Sequence, residues 1–449
     1  MVSINQHVTV IGAGLAGCEA AWQLANSGIH VKLYEAKPAW RSPAHNSEDF
    51  AELICSNSLR SIEEGHASAL LKEEMRFLGS LIIEAALETR LPAGKALAVD
   101  RKAFSKYITE KISNHPNIKI FRKEITSFFE IERPVIIATG PLTSESLANA
   151  LIKYLKRRSP VDYLYFYDAI APIVEKNSID MNIAFRASRY NVGTQDEGDY
   201  LNCPLDKETY YHFIDSLLAS DRITERNFDS IKCFEGCMPI EEMASRHKDA
   251  LRHGPMKPMG IENPRGGIRP YAVVQLRQDN SHATLFNMVG FQTRMKYTEQ
   301  NKVFRMIPGL KNASFIRYGS MHRNTYVNGP ALLDHNFKVG WEDDLYIIGQ
   351  LSGVEGYLES ASTGTYLGFV LSREINGKKV APLPATTAIG ALINHVVESD
   401  IKDYQPMKIN WGIFPPLEEF PSTRKGPKKD QRRNLLIERG RRDLQKWFK

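Results

Sequence analysis

Val8-Thr9-Val10-Ile11-Gly12-Ala13-Gly14-Leu15-Ala16-Gly17 is the stretch whose reading decides the fold. A β-branched run enters glycines spaced G-x-G-x-x-G, and Glu19 to Ala25 continue as a small-residue helix pattern. Gly12 permits a tight turn, Gly14 lets backbone approach a pyrophosphate, and Gly17 lets the helix pack close to the sheet. Ala13, Leu15 and Ala16 complete the turn, and free N–H groups at the helix start face the phosphate charge. Eighteen residues after Gly17, Glu35 closes the strand pattern His30–Glu35. A carboxylate there accepts hydrogen bonds from a ribose hydroxyl. Strand, turn, helix, second strand and acid fall in order, which predicts a dinucleotide-binding βαβ unit.

Later segments select FAD as the expected dinucleotide. Val135 to Gly140 reads as a buried strand ending in a glycine turn, where a flavoprotein chain returns to its cofactor. Leu345 to Gln350 is a second buried strand, running through Gly349, Gln350, Gly353, Glu355 and Gly356 into a helix rich in small residues. This strand-Gly-polar turn resembles the element that holds the flavin ribityl chain in two-domain flavoproteins. Those carry Asp where this chain has Gln350, so an amide contact is expected there. No second G-x-G-x-x-G follows a strand, so NADPH or NADH is expected to visit the flavin transiently.

Length and composition set the frame. With 449 residues, 43% hydrophobic and 24% charged, the chain has room for two or three soluble domains. No apolar run approaches the ~20 residues needed to span a bilayer, so no membrane association is expected. Five cysteines without a C-x-x-C pair point to a reducing cytoplasm. Cys233 and Cys237 lack further ligands at metal spacing, so no metal site is expected. The net charge of +6 is concentrated at the end: Pro421 to Lys449 holds eleven Lys/Arg against three acids. Such a segment attracts polyanions or is simply a solvated tail. The predicted fold class is α/β. A doubly wound, Rossmann-like FAD-binding domain spans 1–162 and 319–449, with an inserted α+β substrate domain over 163–318.

Cys18, inside the first helix, and Cys203 read as packing residues. Cys55 lies in Glu52-Leu53-Ile54-Cys55-Ser56-Asn57-Ser58-Leu59-Arg60, a polar run taken as the cap of a following helix. A thiolate at a helix start is favoured by free N–H groups. Cys237 lies in Phe234-Glu235-Gly236-Cys237-Met238-Pro239, a turn leading into another helix.

These two cysteine stretches resemble signatures of the folate- and FAD-dependent tRNA uracil-5-methyltransferases (TrmFO), paralogues of the GidA (MnmG) type. Gly254-Pro255-Met256-Lys257-Pro258, His322-Arg323-Asn324-Thr325-Tyr326 and Gly353-Val354-Glu355-Gly356-Tyr357 extend the resemblance over nearly the whole chain to about Leu417. It implies methylation at C5 of a uridine, that of position 54 in the tRNA T-loop, with 5,10-methylenetetrahydrofolate as carbon donor. A ribosomal-RNA uridine is the alternative target within the family. A small-molecule flavin oxidoreductase without an RNA role is the alternative outside it. One thiolate adds to C6 and a second group removes the C5 proton. The resemblance implies Cys237 for the first role and Cys55 for the second, and the two roles remain exchangeable at this point. Lys257, Arg265, Arg269, Arg294, Lys296, Tyr297, Arg317, His322 and Arg323 are candidates for holding RNA phosphates and bases.

Overall fold

The computed structural model of the chain describes residues 7–42, 44–129, 131–155, 164–192, 198–223, 238–266, 269–342, 344–402, 404–417 and 429–449. β1 (His7–Ile11), α1 (Leu15–Asn26) and β2 (His30–Glu35) form where the glycine pattern places them. β1 and β2 run parallel, with His7 opposite His30 and Ile11 opposite Tyr34. They lie inside a five-stranded parallel sheet of order 345–347, 135–137, β1, β2, 118–122. Val8, Val10, Val31 and Leu33 are all buried, as expected of parallel strands covered by helices.

The strand Leu345–Ile347 joins this sheet from far downstream, and the 19-residue helix Tyr357–Ile375 that follows it is locked against α1. Gly364 and Gly368 sit one turn apart on the face of that helix that meets Ala16 and Ala20. A Cβ at Gly364 would lie 2.1 Å from the Ala16 carbonyl oxygen, and one at Gly368 would lie 2.9 Å from that of Ala20. The two backbones therefore touch, which only small residues on both helices allow.

A second, six-stranded antiparallel sheet is built from residues between 173 and 317. Its order is Phe185–Ala187, Tyr200–Leu205, Ala272–Gln278, Leu285–Met288, Ile173–Glu175, Phe315–Arg317. It has its own core, including Leu201, Val274, Phe286, Phe291 and Phe304. The chain passes between the sheets through an antiparallel ribbon, Leu164–Ile170 with Ser320–Tyr326. Both crossings start at this ribbon, and we propose 163 and 319 as the boundaries of the inserted unit. The α/β class with a doubly wound parallel sheet and an inserted domain is the one the glycine turn and the strand pattern predicted.

The basic C-terminus is not a solvated tail over its last turns. Lys429–Phe448 is a helix that buries Leu436, Ile437 and Leu444. Its Trp447 Nε1 donates to the Ala381 carbonyl at 2.6 Å, and Arg441 reaches both oxygens of Glu73 at 2.7 and 2.8 Å. Residues 421–428 lie outside the described residues. Among the described residues no helix is long and apolar enough to cross a membrane, and no group of three or more His, Cys, Asp or Glu is placed to hold a metal ion.

One buried acid ties α1 to its surroundings. Glu19 accepts from the Ser80 hydroxyl and from the Ile82 N–H at 2.8 Å, anchoring the start of the helix Leu81–Glu88. Burial raises its pKa to about 7. A carboxyl whose folded pKa lies above the unfolded value near 4.5 binds more protons when folded, so stability falls as pH rises between those values. Glu19→Gln keeps the shape without the charge. Thermal unfolding from pH 5 to 8 should therefore show a flatter loss of stability in the variant, with a gain over the parent at pH 8 of about 3 kcal/mol at most. Identical pH slopes would contradict this.

Candidate active site

The glycine turn contains two kinds of glycine. At Gly17 a Cβ would lie 1.8 Å from the Gly12 carbonyl oxygen, so the protein itself demands glycine there. At Gly14 the nearest protein atom to a Cβ is 4.0 Å away and φ is −76°, which any residue adopts. Nothing in the chain requires glycine at position 14, and a side chain there would take up space in the cavity that the turn lines. Glu35 is fixed onto the same turn: its Oε2 accepts from the Ala13 N–H at 3.1 Å and its Oε1 from the Lys37 N–H at 2.9 Å.

Two connected cavities open from this turn, of about 720 and 830 Å³ including space open to solvent. The first runs from Gly12, Ala13 and Gly14 to Glu35, Trp40 and Lys123. The second is lined by Gly14, Leu15, Ala16, Gly140, Gly349 and Gln350, and on its far side by Cys55, Tyr357 and Ser360. Gly14, His45, Glu52, Ala138 and Thr139 belong to both. An elongated molecule with a ribose near Glu35, a diphosphate over Gly14 and a flat ring near Cys55 fits this shape, and FAD has those parts in that order. Three further expected contacts stand off the cavity walls. Glu355 pairs with Lys408 at 2.8 Å. A Cβ at Gly353 would meet the Tyr404 hydroxyl, and one at Gly356 would meet Glu359. These residues shape the turn that carries Gly349 and Gln350.

Cys55 does not precede a helix. Ser58–Ser61 is a strand paired with Ala96–Val99, and the next helix starts at Ala67. The helix-start setting expected for this thiol is therefore absent, and other contacts hold its loop. Tyr357 Oη accepts from the backbone N–H of Cys55 at 2.5 Å and of Ser56 at 3.2 Å. Arg101 donates to the Leu53 carbonyl, reaches the Cys55 carbonyl at 3.5 Å and holds both oxygens of Asp279 at 3.0 and 3.1 Å. Arg277 donates to Asn57 Oδ1 at 2.9 Å and to Ser56 Oγ at 2.8 Å. Asn57, fully buried, donates to the carbonyls of Val99 and Gln278. The inserted sheet thus grips the Cys55 loop and sets it against the cavity. Burial, then the nearby Cys55, pushes the Tyr357 phenol well above its ordinary pKa, so it stays neutral.

Cys18 and Cys203 are buried, and burial pushes the Cys203 thiol up to about 12 and Cys18 well up too. Both are inert packing groups. Cys233 and Cys237 lie outside the described residues; the helix Ile240–Arg246 begins just beyond them, after Pro239. Sequence reasoning missed His45, Glu52, Arg101, Arg277 and Tyr357. Glu52 stood inside the quoted Cys55 stretch, whereas Arg277 is more than 200 positions from the loop it grips.

The two glycines give a paired test. Gly14→Val should unfold within about 0.5 kcal/mol of the parent but be purified without the visible absorbance of flavin. Gly17→Val should lose the fold itself, seen as loss of cooperative thermal unfolding. Retained flavin in the Gly14 variant would contradict the placement.

A family model described as glucose inhibited division protein A matches residues 7–379. A protein of Geotalea uraniireducens (strain Rf4), named methylenetetrahydrofolate--tRNA-(uracil-5-)-methyltransferase TrmFO, is 52% identical over 445 residues, 99% of each chain. One of the same name from Acetivibrio thermocellus is 52% identical over 415 residues, 92% of this chain and 93% of that one. The structure of Aquifex aeolicus GidA in its form II crystal aligns with a TM-score of 0.70 at 16% identity, over 100% of this chain and 74% of that chain, and speaks for the fold alone. The chain belongs to the glucose inhibited division protein A family and, within it, to the TrmFO proteins.

Proposed function

We propose that this flavoprotein transfers the methylene carbon of 5,10-methylenetetrahydrofolate to C5 of a tRNA uridine, that at position 54 of the T-loop. NADPH or NADH supplies the reducing equivalents, and the cytoplasm is the compartment. The observation that carries the reading is the placement of Cys55 in the cavity that the dinucleotide turn opens. Bound there, FAD supplies the redox chemistry that takes the transferred carbon to a methyl group. Gly12 to Ala16, Glu35, Gly140, Gly349 and Gln350 would hold it, with Gly17 closing the turn behind them.

C5 of uracil is a weak nucleophile. A thiolate adding to C6 pushes the ring electrons toward C5 and the C4 oxygen, and C5 then attacks an electrophilic carbon. Removal of the C5 proton expels the thiolate and restores the ring. We assign C6 addition to Cys237 and proton removal to Cys55, whose loop the Arg277, Asn57 and Tyr357 contacts hold in place. The target base must leave its stack, at a cost of a few kcal/mol. Arg294 and Lys296 are drawn into pairs with Glu242 and Asp221, so any RNA contact there competes with those carboxylates. Arg265 donates to the carbonyls of Asn182 and Ala184, which bolts its loop down.

Undermodified tRNA incubated with labelled methylenetetrahydrofolate and reduced nicotinamide should yield label in 5-methyluridine. Label in 23S rRNA instead would move the target. Rapid nicotinamide oxidation with a small acceptor, and no label in RNA, would overturn the reading. Cys55→Ala and Cys237→Ala should each abolish methylation while the protein stays yellow, and full activity in either would remove that residue from the mechanism.

A further inference from the structure

Arg317 ends the strand Phe315–Arg317 at the edge of the inserted sheet. The pairing with Ile173–Glu175 shifts register between Phe315 and Arg317. Such a bulge re-aims the side chain that follows it. Here Ile316 is left 56% exposed, while the Arg317 guanidinium turns inward. Its Nε and Nη2 are buried and have no hydrogen-bond partner. A buried charged donor without an acceptor is costly, and native proteins rarely retain one without a ligand, ion or water to meet it.

The surroundings deepen the imbalance. Arg101, Asp279, Tyr357 and Cys55 all lie near enough for their charges to act on the Arg317 guanidinium. Asp279 is the carboxylate that acts on Arg101, Arg277 and Arg317 alike, and it is engaged by Arg101 through both oxygens. The side-chain partners of Arg277 are neutral, Asn57 and Ser56. Three guanidiniums thus stand around one carboxylate beside a thiol. Burial, then the neighbouring Arg101, holds the Arg317 guanidinium down at about 10. An anion beside Cys55 would relieve that strain.

We propose that Arg317 is a catalytic residue of an anion subsite beside Cys55, and that its occupant is the C4 oxygen of the reacting pyrimidine as it gains charge. The inference rests on the uridine-methylation reading. When a thiolate adds to C6, a sulfur–carbon bond forms and the C5–C6 π pair moves into the ring, leaving the negative charge on the C4 oxygen. No proton is transferred in this step. The free N–H groups of Arg317 donate to that oxygen, and the pair returns through C5 to form the new carbon–carbon bond. The C4 oxygen adjoins C5, so a residue that removes the C5 proton and a residue that holds this oxygen belong in one neighbourhood, and Cys55 is among the groups whose charge acts on Arg317. Donors fixed in advance where charge develops commonly contribute a hundredfold or more to rate.

The subsite can be read without the methylation reaction. The FAD-loaded enzyme is alkylated with iodoacetate, an anion, and with iodoacetamide, its neutral analogue, and modification of the Cys55 peptide is timed by mass spectrometry. The ratio of iodoacetate to iodoacetamide rates should exceed that of glutathione, and Arg317→Met should lower it about tenfold while Arg317→Lys keeps most of it. A ratio in the unaltered enzyme no higher than that of glutathione overturns the subsite, whether or not Arg317→Met folds. So does an unchanged ratio in Arg317→Met. With tRNA, kcat of Arg317→Met should fall about a hundredfold with little change in KM. An unchanged kcat overturns the catalytic role. An intact anion preference in an enzyme that methylates no tRNA would refute the proposed function and leave the anion site standing.

Discussion

Backbone contact between α1 and the helix Tyr357–Ile375 is the constraint from which the rest of the molecule follows. Ala16 and Ala20 on one side and Gly364 and Gly368 on the other bring the helices so close that a single methyl group at Gly364 would strike the Ala16 carbonyl. That approach carries the late strand Leu345–Ile347 into the parallel sheet beside Val135–Ile137 and lays the turn with Gly349 and Gln350 over the first glycine turn. The cavity exists because a segment from the end of the chain is clamped onto its beginning. Without that clamp, Gly14 would line an open groove and Tyr357 would not meet Cys55.

The second cooperation is between the two sheets. The strand Ala272–Gln278 delivers Arg277 to the Cys55 loop, and Asn57 closes the joint with bonds to Val99 and Gln278. A loop of short polar residues has no packing of its own, so its geometry comes from the charges around it. The loop that carries the sulfur is accordingly held by fixed guanidiniums and a neutral phenol rather than by a helix end. The inserted sheet thereby brings the charges of Arg277 and Asp279 to the cavity side of the first sheet.

The glycine turn, α1, β2 and Glu35 were legible in the sequence because their signal is local: backbone conformation and strand alternation are written within thirty residues. The strands at 135 and 345 were legible as apolar runs ending in glycine. The Cys55 loop was half legible. The residue types marked it, but Ser58–Ser61 reads as a helix cap by composition, and only pairing with Ala96–Val99 makes it a strand. Arg101 and Arg277 look like ordinary surface charges in sequence, and Arg317 like one of a set of RNA-contact candidates, because nothing local announces that Arg101 and Arg277 converge on one loop. The packed C-terminal helix was not legible for a related reason: its charge reads equally as a polyanion-attracting segment or a solvated tail. Its buried stripe of Leu436, Ile437 and Leu444 is sparse among the charges and gains meaning only once a surface is present to receive it.

A crystal structure of the enzyme with FAD bound tests the central claim most directly, since everything turns on a sulfur facing the flavin across the cavity. The account predicts the adenosine ribose against Glu35, the diphosphate over Gly14, and the Cys55 sulfur in contact with the isoalloxazine ring, at about 4 Å. A ring held elsewhere, with Cys55 out of contact and walled off by its loop, would contradict it.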